Sequence, residues 1–370
     1  MKNQAKNLIC GGAVLTLLVW TVHTILKEQS PGQLAAALLS ADWRILLLGL
    51  PLMALSLLCE AKSTHSILRA LGCPQPLRRC AYYSCVGYFF STITPSASGG
   101  QPAQIVAMTR DGTPAAVGAL DMLLVTIGGY NTAAMGWAIY ALCTAGSFTE
   151  HLGGQVGLLL GVGLAVFVLL DVGMFLFLFL PGPARSLLYG CIALAAKVWP
   201  GLDRAGLEAK ADAQIAEYRR GADLIRRAPI LLVKVLALST LQLGCTYAMP
   251  YVVYRAFGLS GYTLGQAVAL QALCSIAVVY LPLPGSAGAA ENVFLRSFLL
   301  IFGAELVAPA MILSRTLSCY LVLIATALIL VLGRIMRKRA DKVGQPAPAK
   351  KPAVQKTGAA RIAPRLGGQP

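Results

Sequence analysis

Two short stretches of this 370-residue chain bring together proline, glycine, and small hydroxyl or amide side chains in a pattern suited to binding an anion. The first is Pro95-Ser96-Ala97-Ser98-Gly99-Gly100, followed by Gln101 and Gln104; the second is Pro284-Gly285-Ser286-Ala287-Gly288, followed by Glu291. A helix that begins after such a turn presents backbone N–H groups and the positive end of its dipole. Gly99, Gly100, Gly285 and Gly288 let a headgroup approach the backbone, and Ser96, Ser98, Ser286, Gln101 and Gln104 can add hydrogen bonds. A lipid phosphate is the natural ligand for that donor set. Setting Pro95 on Pro284, an offset of 189 residues (284 minus 95), puts Gly99 on Gly288 with an apolar arm before each break. Paired interruptions of this kind in two halves of a membrane protein point to a transporter's substrate site.

Five charged residues lie inside apolar segments: Asp121, Asp171, Glu291, Arg296 and Arg315. A charge at bilayer depth costs at least roughly 2.5–3.5 kcal/mol on insertion scales, so each is a functional candidate unless it pairs internally, as Arg296 could with Glu291. Lys234 and Arg255 stand near segment ends, where long side chains reach the interface. Metal chemistry has little support. The only histidines, His23, His65 and His151, are far apart, and none of the ten cysteines forms a CxxC pair. No cofactor is expected.

The elements that carry these residues are those of a membrane protein. The chain is 57% hydrophobic and 12% charged, with a mean hydropathy of +0.69, about half the charge of an ordinary soluble domain. Apolar segments expected to span run over Leu8–Leu26, Trp43–Cys59, Ala115–Cys143, Gly154–Leu180, Ile230–Tyr254, Thr263–Leu281, Gly285–Phe302 and Glu305–Leu332. Lys2 and Lys6, the Lys62–Arg79 loop and the Arg185–Arg227 loop (eight basic residues, five acidic) are placed inside by the positive-inside rule. An even number of crossings must then separate the two loops, so Tyr82–Met108 reads as a re-entrant hairpin with arms Tyr83–Thr94 and Ala103–Met108; a proline kink in one continuous helix is the alternative. The fold expected is an all-α integral membrane protein with about eight transmembrane helices, or six plus two re-entrant hairpins in an inverted repeat. Both termini are cytoplasmic in either case. Residues 1–333 form the membrane domain. Within it, loop 185–228 carries Leu207, Ala211, Ile215, Tyr218, Ala222 and Ile225 on one helical face. Residues 334–370, with ten basic residues against Asp341 alone, read as a disordered tail near anionic headgroups. The net charge of +16 resides largely in that tail and the loops, and is no sign of nucleic-acid binding.

The stretch GYFFSTITPSASGGQPAQIVAMTRDG, ending at Gly112, resembles the flippase-like membrane domain of the lysylphosphatidylglycerol synthase family, the multiple peptide resistance factors. PLPGSAGAAENVF resembles the family's second motif. The resemblance covers roughly Leu8–Leu332. It implies a bacterial plasma-membrane protein that moves anionic or aminoacylated phospholipid between leaflets. Pro95, Ser96, Gly99, Gly100, Gln101 and Gln104 match the first motif, and Pro284, Gly285, Gly288 and Glu291 the second. Asp121 matches an acid often followed by arginine in relatives, whereas Met122 follows here. Full synthases add a soluble lysyl-transfer domain, so this chain is expected not to catalyse aminoacyl transfer alone. Two other classes are an intramembrane lipid transferase using Asp121, Asp171 or Glu291 as base, and a membrane partner of a separate synthase. Membrane phospholipid is the expected partner in every case; a homodimer is compatible with all of them.

Overall fold

The computed structural model describes residues 31–94, 97–144, 161–169, 203–209, 228–278 and 288–343, with isolated positions at 158, 172–173, 186, 189–190, 192–193, 212 and 216. Every regular element among them is helical. The segments Leu8–Leu26, most of Gly154–Leu180 and most of loop 185–228 lie outside the described residues; within that loop 204–209 is helical and Arg204 pairs with Glu208 at 2.7 Å. The chain divides at Leu330, and the packing described below belongs to the unit that ends there.

Helix α1 covers Pro31–Ser40 and α2 covers Trp43–Leu46. The Asp42 carboxylate caps α2, accepting from the Arg44 N–H at 2.9 Å. Helix α3, Gly49–Ala70, runs well beyond the end expected at Cys59. Its second half buries Ser63, Thr64, Ser66, Ile67 and Leu68. The hydroxyls of Ser63 and Ser66 donate to the carbonyls of Cys59 and Lys62, one turn back, and so can be buried within the helix. Glu60 therefore lies inside a helix, not at its boundary.

Helices α4 (Leu77–Ile93) and α5 (Gly100–Arg110) flank the first break. They run antiparallel. Gly100 lies against Ser91 and Gly87, Gln104 lies against Gly87, and the Tyr83 hydroxyl donates to Asp111 at 2.8 Å. Gln75 closes the base, donating to Thr113 Oγ1 at 3.2 Å and to the Asp111 carbonyl at 3.4 Å. The hairpin opens and closes at one end, which rules out a single kinked helix. Its arms of 17 and 11 residues are about 25 and 16 Å long, shorter than a hydrocarbon core of roughly 30 Å. Glycine is required where the arms meet: a Cβ on Gly100 would stand 2.8 Å from the Gly87 carbonyl oxygen.

Helix α6 (Ala115–Leu123) continues through a π-helical segment, Leu124–Asn131, into α7 (Thr132–Thr144). Then come α8 (Pro229–Tyr247), α9 (Met249–Ala256), α10 (Leu264–Val278) and α11 (Ala289–Ser297). Helix α12 (Leu299–Arg315), a second π-helical segment (Thr316–Tyr320) and α13 (Leu321–Val343) follow. The tyrosine hydroxyl of Tyr262, before α10, donates to the Leu300 carbonyl at 3.4 Å, so α10 and α11 run antiparallel. Of the expected span Thr263–Leu281, the described part is α10, with the three residues after Val278 outside the described residues. At Gly303 the backbone leaves the helix, with φ 73° and ψ 170°, which turns the chain from the α11 arm into the long helix beyond.

Four helices among the described residues are long and apolar enough to cross a membrane: Trp43–Ala70, Ala115–Thr144, Pro229–Ala256 and Leu299–Met336, the last broken at Gly303. Their directions follow from contacts. The Asp42 N–H bonds to the Ala256 carbonyl at 2.8 Å, Ser56 meets Thr246 at 3.3 Å, and Gln242 meets Glu60 at 3.4 Å, so Trp43–Ala70 and Pro229–Ala256 are antiparallel. Gly128 lies on Leu232 and Trp137 on Gly244, so Ala115–Thr144 runs parallel to Pro229–Ala256. Gly49 lies on Leu317, while Leu330 joins the cluster of Ile67 and Leu68, so the last helix runs with the first. The order of helix, antiparallel helix pair, glycine turn and helix with a π segment thus occurs twice among the described residues, in opposite senses. The turn glycines correspond: Gly112 has φ 89° and Gly303 has φ 73°.

The larger core gathers α7 to α12 around Phe294, Phe298 and Phe302, with Phe294 and Phe298 stacked at 4.3 Å between centroids. A test of the hairpin contact is Gly100→Leu, which should destabilise the protein by about 1–3 kcal/mol in thermal or denaturant unfolding in micelles through overpacking. Gly136→Leu, at an open exposed position, should leave the transition within experimental error.

Candidate functional site

The first break presents less free backbone than its sequence implies. Pro95 and Ser96 lie outside the described residues. Ala97 has φ 53°, and Ser98 is exposed beside it. The Gly99 N–H donates to Thr94 Oγ1 at 2.9 Å, the Gly100 N–H to the Ala97 carbonyl at 3.4 Å, and Pro102 has no N–H at all. Two glutamine side chains of α5 donate to neighbouring elements. Gln101 Nε2 donates to Thr126 of the first π segment at 2.8 Å. Gln104, 5% exposed, donates to Glu60 Oε1 at 2.8 Å.

Glu60 also accepts from Gln242 of α8, and one turn along the Ser56 hydroxyl meets Thr246. Three elements thus contribute to one polar lane: Ser56 and Glu60 from α3, Gln104 from α5, and Gln242 and Thr246 from α8. Thr126 of the π segment is tied to α5 through Gln101. Sequence alone does not single out Glu60, because the apolar run before it ends at Cys59 and a glutamate there looks like a span boundary. The signal lies further on, in the buried-face spacing of Cys59, Ser63 and Ile67 that continues the helix. Gln242, a lone amide in the Ile230–Tyr254 run, is the other recoverable clue.

At the second break Pro284, Gly285 and Ser286 lie outside the described residues. Gly288 is the N-cap of α11 with φ 81°, and the Glu291 carboxylate accepts from its N–H. Glu291 also pairs with Arg315, Oε1 to Nε, at 3.2 Å. The two side chains are 7% and 21% exposed, respectively. Glu291 takes Arg315 as its partner where sequence spacing offers Arg296, since Arg296 lies on the exposed side of α11. One guanidinium nitrogen, Arg315 Nη2, is buried with no hydrogen-bond partner among the described residues.

Tyr88 joins the two clusters. Its hydroxyl donates to the Ser318 carbonyl in the second π segment at 2.6 Å. The residue before it, Gly87, lies against Gln104. Consecutive residues of α4 therefore touch the Glu60 cluster and the Arg315 segment. Both π segments begin within three residues of an intramembrane charge, Asp121 and Arg315. Such segments shift side chains off the regular helical register and recur at functional sites. Asp121 itself is fully buried, and Asp171 lies outside the described residues. No group of three or more metal-ligating side chains occurs among the described residues.

These features define a multi-pass α-helical membrane protein with polar and ionic groups between its helices. The chain belongs to the family described as the lysylphosphatidylglycerol synthase TM region, whose model matches residues 8–326. No curated protein matches it. Membership ties the chain to lysylphosphatidylglycerol synthesis or to the handling of lipid in the membrane.

Removing one member of a buried ion pair strands the other. Arg315→Ala is expected to lower stability in micelles by roughly 3–5 kcal/mol, nearer the lower figure because Arg315 is partly exposed. Adding Glu291→Gln should recover part of that loss. Simple additivity of the two single effects would show that the pair is not coupled.

Proposed function

We propose that this protein translocates phospholipid between leaflets, passing the headgroup along the lane between the two hairpins. The observation that carries the reading is the join at Tyr88, which sets a carboxylate cluster beside a guanidinium whose Nη2 has no partner. A phosphate is the complementary ligand for Arg315, and the ammonium of an aminoacylated headgroup such as lysyl-phosphatidylglycerol is complementary to Glu60. Gln104 and Gln242 supply neutral hydrogen bonds in between.

The opposite sense of the two helix sets supports an inverted repeat, and the short arms support two re-entrant hairpins entering from opposite sides. Together with Leu8–Leu26 and Gly154–Leu180, the four long helices make six spans. Inverted repeats with broken helices near the midplane are the usual frame for alternating access. The setting is the bacterial plasma membrane.

The test is leaflet sidedness of lysyl-phosphatidylglycerol and phosphatidylglycerol in proteoliposomes. Wild type should redistribute at least one of them faster than empty vesicles. Gln104→Leu should slow it at least tenfold, since it removes the donor to Glu60 and leaves an unpaired buried acceptor. Redistribution no faster than in empty vesicles for both lipids would overturn the reading, and would favour a membrane partner of a separate synthase.

A further inference from the structure

The best-sealed charge-bearing side chain described in the structure is Asp121. It is 0% exposed, and neither carboxyl oxygen has a hydrogen-bond partner among the described residues. Its surroundings belong to the smaller apolar core, where Leu68, Met108, Leu120, Met122 and Leu124 are all buried. Transferring an ionised, unpaired carboxylate into such a place costs far more than any single packing contact returns. A carboxylic acid with its proton bound does not carry that penalty.

The groups that face Asp121 come from each neighbouring element. From α3 these are Glu60 and, one turn on, Thr64, whose neutral hydroxyl lies beside the carboxyl. From α4 it is Cys80. Helix α5 sets Ile105 and Met108 against the same helix at Gly118, and its charged residues, Arg110 and its cap Asp111, come only at its far end. The π segment's one ionisable side chain, Tyr130, lies by Tyr247. Of the other ionisable groups of α3 nearby, His65 is bonded through Nδ1 to the Gln75 carbonyl, and Lys62 makes no ion pair among the described residues. Helix α8 reaches the same core at Leu231 and Val235, and its one charged side chain, Lys234, is exposed. No cation neutralises Asp121 among the described residues, and its nearest charged neighbour is another acid.

We infer that Asp121 is a proton-binding site, loaded and unloaded through Glu60, that couples headgroup movement in the polar lane to a proton gradient. Only an O–H bond forms and breaks: the proton passes from water to a Glu60 oxygen, then to an Asp121 oxygen, and returns the same way. Glu60 is suited to the entry role because it is partly exposed and belongs to the lane, while Asp121 lies behind it. A cationic headgroup group beside Glu60 would compete with a proton there, which gives the two cargoes a shared carboxylate. The coupling rests on the translocation reading; the proton site does not.

Infrared difference spectroscopy on the purified full chain in lipid nanodiscs tests the site directly. At neutral pH wild type should show a protonated carboxyl C=O band that is lost in Asp121→Asn and displaced in Asp121→Glu. In Glu60→Gln the same band should disappear at lower pH than in wild type, because a neighbouring negative charge no longer opposes ionisation. Absence of an Asp121-dependent band at neutral pH would overturn the proposal. Coupling is read as the ratio of lipid redistribution rates with and without an imposed proton gradient. That ratio should exceed one in wild type and fall to one in Asp121→Asn, whatever the absolute rates. A ratio of one in wild type, with lipid still moving, would make the bound proton structural and overturn the coupling. No lipid movement under any condition would overturn translocation and coupling together, and the infrared band would still decide the proton site.

Discussion

Hydrocarbon offers no water, so every polar group between the spans must find its partner inside the protein. That constraint organises the architecture around the two breaks. A chain that stops being helical at membrane depth has to be enclosed, and here the first break lies between two short antiparallel arms, α4 and α5, packed among long helices. The arms must then approach closely enough to exclude lipid. At Gly100, Ser91 and Gly87 the contact is close enough that any side chain on the glycine would collide with its neighbours.

The same constraint fixes how the charges are used. Glu291 is held by two local partners, the Gly288 N–H and Arg315, so one carboxylate both caps a short helix and neutralises a guanidinium. Glu60 is held by two neutral amides, which satisfy its oxygens without cancelling its charge. The first arrangement locks a helix start in place; the second leaves a charge available to a mobile partner. Their adjacency through Gly87 and Tyr88 turns two separate polar sites into one lane.

The repeated order of elements gives a physical reason for placing the lane there. On the proposed inverted repeat, the two units meet along the antiparallel helices Trp43–Ala70 and Pro229–Ala256. The side chains facing that interface are the small and polar ones: Ser56, Glu60, Gln242 and Thr246. The apolar side chains of these helices that remain exposed, such as Leu55, Leu58, Ile230 and Val233, are suited to lipid. Rocking of one unit against the other would open and close the polar interface while leaving the lipid-facing surface intact.

Composition and the length of apolar runs were enough to establish a multi-pass helical membrane protein. The break between Ile93 and Gly100 was legible from its Pro and Gly residues, because these residue types disfavour helix whatever surrounds them. Glu291 and Arg315 were recognisable as intramembrane charges, though not as each other's partner. Which residues meet depends on helix direction and register, and both are set by packing between segments far apart in sequence. Only the tertiary structure carried α3 past Cys59 and brought Glu60 against Gln104 and Gln242, 44 and 182 residues away. It alone showed Asp121 to be fully buried, because the burial of one side chain is decided by the helices that close over it.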